Sequence, residues 1–118
     1  MDEEMFKQRT KRLGIAVIGL VDKLPHTMAA EVLAKQIVRS STSVGANYRA
    51  ACRAKSTPDM INKLKTVEEE ADETAFWLEV LTESKILNQT QVAALAKEKA
   101  EILAMTVASI NTLRGRKS

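Results

Sequence analysis

Apolar side chains return at three- and four-residue steps along four successive stretches of this chain, a period that fits amphipathic helices and little else. In the first stretch they are Phe6, Leu13, Val17, Leu20, Val21 and Leu24. Pro25 closes it, since proline lacks an amide and its ring blocks the preceding turn. The second stretch runs from about Met28 to Ala54 and turns Leu33, Ile37, Ser40, Val44, Tyr48 and Ala51 inward. The third follows Ser56-Thr57-Pro58-Asp59, where Thr57 is expected to cap the free amides and Asp59 to face the positive end of the helix dipole. Its inward face reads Met60, Leu64, Val67, Ala71, Thr74 or Ala75, Leu78 and Leu81, ending near Glu83. The fourth starts at Asn88, with Gln91 at capping-box spacing, or at Thr90, and carries Val92, Leu95, Ile102, Thr106, Ile110 and Leu113 to Gly115.

Connections of a few residues between long helices make neighbours antiparallel, so the expected architecture is all-α: an antiparallel up-down-up-down four-helix bundle. At 118 residues there is length for one core, and residues 1–118 form a single domain. The aromatic residues are Phe6, Tyr48, Phe76 and Trp77. The seams must therefore be filled by aliphatic side chains, Met and Ala.

Several function classes lack their residues. Cys52 is the sole cysteine and His26 the sole histidine, too few for a zinc site or a disulfide. The expectation is that no metal or cofactor is bound. Hydrolysis by Ser40 or Ser43 would need a base to take the hydroxyl proton, and no histidine is at hand, so the chain is not expected to be an enzyme. The apolar run from Gly14 to Val21 is far short of the roughly 20 residues that span a bilayer. Asp2, Glu3 and Glu4 stand where a signal peptide would be basic, so the expected location is cytoplasmic, with no membrane partner.

A hairpin of the second and third helices would bring Arg39 opposite Glu73 and Thr74, Ser43 opposite Glu70 and Asn47 opposite Thr66. Arg39, Ser43, Asn47, Glu70, Glu73 and Thr74 are thus expected to form a polar network that fixes register, with Ser43 and Asn47 serving the carboxylates. Ile15 and Ile18 lie off the core stripe of the first helix, flanked by Gly14 and Gly19. Phe76 and Val80, beside Trp77, do the same on the third. Apolar residues outside the core at two places predict a homo-oligomer joined through Ile15, Ile18, Phe76, Trp77 and Val80.

The net charge of +3 conceals a division. Residues 31–57 carry Lys35, Arg39, Arg49, Arg53 and Lys55 against Glu31 alone, whereas residues 58–86 carry eight acids against Lys63, Lys65 and Lys85. Further cations are Lys7, Arg9, Lys11 and Arg12 near the start and Arg114, Arg116 and Lys117 at the end. Lys7, Arg9, Lys11, Arg12, Lys35, Arg49 and Arg53 are the candidate contacts to the phosphates of RNA or DNA. No aromatic platform accompanies them.

The stretch Arg39-Ser40-Ser41-Thr42-Ser43-Val44-Gly45-Ala46-Asn47-Tyr48, then Ser56, then Glu70-Ala71-Asp72-Glu73-Thr74-Ala75-Phe76-Trp77-Leu78 resembles the bacterial four-helix bundle proteins encoded in intervening sequences of 23S ribosomal RNA genes. Ala50 departs from that pattern, where glutamate is usual, as does Met60, where phenylalanine is frequent. The resemblance implies a homopentamer without known enzymatic activity. It also implies a fold similar to the accessory proteins of diversity-generating retroelements, pentameric barrels that contact nucleic acid and a reverse transcriptase. Two readings follow: a nucleic-acid-binding oligomer, or a protein-protein interaction scaffold with no nucleic-acid role.

Overall fold

The computed structural model describes residues 2–115. Four helices, α1 (Glu3–Val21), α2 (Met28–Cys52), α3 (Thr57–Glu83) and α4 (Gln89–Arg114), make up the described chain, which has no strand. They form a rod of 50 × 21 × 21 Å. Arg116 and Lys117 lie outside the described residues.

Each helix start has its own hydrogen-bonding cause. Asp2 caps α1, its Oδ1 accepting from the Glu4 amide at 3.0 Å, and Thr27 caps α2 through the Ala30 amide at 3.2 Å. For α3 the cap is Ser56 and not Thr57, which is the first helical residue. Ser56 Oγ accepts from the Asp59 amide at 3.2 Å while the Asp59 carboxylate accepts from the Lys55 amide at 3.0 Å. A cap at Thr57 would have apolar Met60 three residues on, with nothing to reach back. Asn88 and Gln91 close the capping box of α4 with two 2.9 Å bonds. Lys85, between α3 and α4, takes φ 67°, the left-handed conformation that ends a helix.

Packing follows chain order: α1 on α2, α2 on α3, α3 on α4, with a thinner closing contact of α4 on α1 and, among the described residues, no close backbone approach across the diagonals. The α1–α2 approach is antiparallel, Gly14 meeting Thr42 while Gly45 meets Thr10 and Lys11. It is also close. A Cβ on Gly14 would stand 3.0 Å from Thr42 Cγ2, and one on Gly45 would stand 3.3 Å from backbone atoms of Thr10 and Lys11.

The core has two halves. Phe6, Leu13, Val44, Tyr48, Leu64, Val67, Ile102 and Ile110 fill one, where Phe6 meets Tyr48 edge to face at 4.6 Å. Val17, Leu20, Ile37, Leu78, Leu81 and Val92 fill the other. Between the halves lie Gly14, Ser40, Ser41 and Thr74, all buried. Thr74 Oγ1 is 2.9 Å from both Ser40 Oγ and the Glu70 carbonyl, so the buried hydroxyls are satisfied locally.

Candidate interaction surfaces

The register of α2 on α3 places Arg39 between Glu70 and Glu73. Its guanidinium donates to Glu70 at 3.1 Å and to Glu73, whose carboxylate also accepts from Trp77 Nε1 at 3.2 Å. The Arg39 hydrogen bond, helped by that of Trp77, holds the Glu73 carboxyl below its usual range. Ser43 and Asn47 do not join this cluster. Ser43 Oγ donates to the Arg39 carbonyl at 2.7 Å and Asn47 Nδ2 to the Ser43 carbonyl at 2.8 Å, because a carbonyl one turn back is nearer than a carboxylate on another helix. Thr74 turns inward to Ser40, a partner that the hairpin register alone does not single out. Arg39 remains about half exposed, so the cluster is a register clamp at the surface.

Arg9 has a structural partner that sequence reading did not foresee. Its Nε donates to Glu98 at 3.0 Å, Nη2 reaches the second Glu98 oxygen at 2.5 Å, and Glu101 stands 3.3 Å away. This fork spans the thin α1–α4 seam and takes Arg9 out of the free cations. The hydrogen bond to Arg9 lowers the Glu98 carboxyl below its usual range. The signal in the sequence was faint: a lone pair of acids, Glu98 and Glu101, on the otherwise alanine-rich α4.

Lys11, Arg49 and Arg53 converge. Together with Thr10, Ile15, Ile18, Thr42, Gly45 and Ala46 they line a groove of about 430 Å³ on the outer α1–α2 face. The small α2 residues leave the trough, and among the described residues no carboxylate forms an ion pair with its three cations. Lys7 lies one turn before Lys11 and is 3.5 Å from Glu3. Lys35 is on the outward side of α2 nearer its start, and Arg12 is exposed on α1.

The exposed large apolar residues are Met5 (38%), Ile15 (58%), Ile18 (44%), Met28 (85%), Val32 (54%) and Phe76 (52%). All but Phe76 belong to α1 or α2, a concentration to which Met5, Met28 and Val32 contribute unforeseen. Trp77 and Val80 are half-buried, and Trp77 packs against the second core half, with Phe76 edge-on to it at 4.9 Å. Phe76 shares the outer side of α3 with exposed Glu69, Asp72, Glu79 and Glu83. At one end of the bundle, Glu3, Tyr48, Cys52, Met60 and Met105 line a second hollow, where burial raises the Tyr48 and Cys52 pKa values.

Among the described residues no group of His, Cys, Asp and Glu could hold a metal ion, and no helix is long and apolar enough to cross a membrane.

The profile of the 23S rRNA-intervening sequence protein matches residues 3–108. A crystal structure of a protein of unknown function from the S23 ribosomal protein family of Bacteroides thetaiotaomicron is similar, with 32% identity and a TM-score of 0.86. The match covers 94% of this chain and 99% of that one. No curated protein matches the chain.

Proposed function

The chain belongs to the 23S rRNA-intervening sequence protein family, and from that premise we propose that it is a non-enzymatic, cytoplasmic bundle that works as a homo-oligomer. The supporting observation is the number of large apolar residues left exposed on α1 and α2, Ile15, Ile18, Met28 and Val32. An isolated bundle gains nothing by leaving them wet, whereas covering them with another subunit removes them from water. The pentameric number comes from the family resemblance. The non-enzymatic reading is supported by Ser40 and Ser43, whose hydroxyls donate to the carbonyls of Ile37 and Arg39 in their own helix. Sedimentation of the full chain at micromolar concentration tests the proposal: a mass several times that of one chain is expected, and a monomer overturns it.

A second reading is nucleic-acid binding, and the observation favouring it is the convergence of Lys11, Arg49 and Arg53 without facing acids. The name of the family, 23S rRNA-intervening sequence protein, is in keeping with an RNA partner. Filter retention of structured RNA, expected to weaken as log Kd against log salt with a slope of about 0.7–0.9 per phosphate contact, tests it. No retention at low salt ends it.

A further inference from the structure

We infer that the α1–α2 groove of one copy receives the outer ridge of α3 from a second copy, in a head-to-tail contact. This rests on the self-assembly reading and names the surfaces that meet. The groove has buried Thr10 and Gly45 at its base, and its walls carry exposed apolar Ile15 and Ile18 together with the cations Lys11, Arg49 and Arg53. The ridge is its inverse. Phe76 stands half exposed, while Asp72 and Glu79, one turn to either side, and Glu69 beyond are exposed and share no ion pair with any described residue. A phenyl ring entering the trough between Ile15 and Ala46 would cover Ile15 and Ile18, and the flanking acids would reach the cations.

Two alternatives for the occupant fit less well. A phosphate backbone would meet the three cations but leave Ile15 and Ile18 in water. Groove against groove, the two-fold arrangement, would set Lys11, Arg49 and Arg53 against themselves, and like charges in an interface are costly. The groove and the ridge also cannot meet within one chain, because α1 and α3 occupy opposite corners of the bundle, their outer sides facing apart. Each copy therefore offers one groove and one ridge, and unlike surfaces of this kind build rings when the rotation closes and filaments when it does not.

The test uses charge exchange in the full chain, read by sedimentation velocity with circular dichroism to verify the fold. Lys11→Glu with Arg49→Glu reverses the groove; Glu69→Lys with Asp72→Lys reverses the ridge. Each pair alone is expected to weaken assembly on the order of 100-fold, and all four substitutions in one chain to restore it. Ile18→Gln and Phe76→Gln, each expected to dissociate the assembly, keep the question open to measurement if a charge variant fails to fold. A monomeric wild type would remove the self-assembly reading and this inference with it. An oligomer unmoved by either reversal would overturn the inference and leave self-assembly standing. So would a groove reversal that abolishes RNA retention without changing the mass, since the groove would then belong to nucleic acid.

Discussion

Gly14 and Gly19 sit five residues apart in the same helix, and replacing each by alanine separates local propensity from tertiary packing. Alanine in a helix interior is favoured over glycine by about 0.8–1 kcal/mol. At Gly19 a Cβ would meet nothing within 4 Å, so Gly19→Ala should show that whole gain, raising Tm by roughly 4 °C for a chain of this size. At Gly14 the same methyl would stand 3.0 Å from Thr42 Cγ2 and 3.3 Å from Thr42 Cα. Thr42 cannot easily turn away, since its Oγ1 is held by the Val38 carbonyl at 2.7 Å. Overpacking of this kind costs about 1–3 kcal/mol, which cancels or exceeds the propensity gain. Because the propensity gain is common to both, the difference between the two variants isolates the tertiary cost, about 1–3 kcal/mol. Urea unfolding followed by circular dichroism, at one protein concentration for both variants, measures it. Thr42→Ser in the Gly14→Ala background removes Cγ2 and should recover part of the loss. Equal stabilisation by Gly14→Ala and Gly19→Ala would refute a close α1–α2 approach.

Three further outcomes are expected. Ser56→Ala should cost about 1 kcal/mol by thermal unfolding, whereas Thr57→Ala should be near neutral; the reverse order would return the cap of α3 to Thr57. The folded-state carboxyl of Glu98 is lowered by Arg9, so its contribution is complete above the ordinary carboxylate pKa, about 4.3, and is lost as pH falls through the lowered value. Glu98→Gln should accordingly flatten the decline in stability on acidification, and an unchanged pH profile would place the pair outside the stability of the α1–α4 seam. Lys85→Gly should raise stability by about 1 kcal/mol in urea titrations, since lysine bears the left-handed penalty that glycine avoids; destabilisation would show that Lys85 is not left-handed in solution.

The positions of the four helices, the larger apolar residues of their inward faces and the capping box of α4 were legible in the sequence, because each depends on residues within one or two turns of each other, whereas the burial of Thr10, Gly14, Ser41 and Gly45 was not. The meeting of Arg39 with Glu70 and Glu73 was legible too, since it needed only the hairpin register of two sequential helices. The partners of Ser43, Asn47 and Thr74 were not. Their choice is a competition between a carbonyl one turn back in the same helix and a group on the next, which the register alone does not decide. The Arg9–Glu98 fork joins the first helix to the last, where no short connection sets the register. Gly14 reads locally as a flaw in an apolar run, and only the buried approach to Thr42 gives it a purpose. Charge and apolarity along the chain pointed to two unpartnered faces. That Lys11, Arg49 and Arg53 share one trough with Ile15 and Ile18 was decided by tertiary structure, since it takes two antiparallel helices, close enough to touch backbones, to bring those residues to one surface.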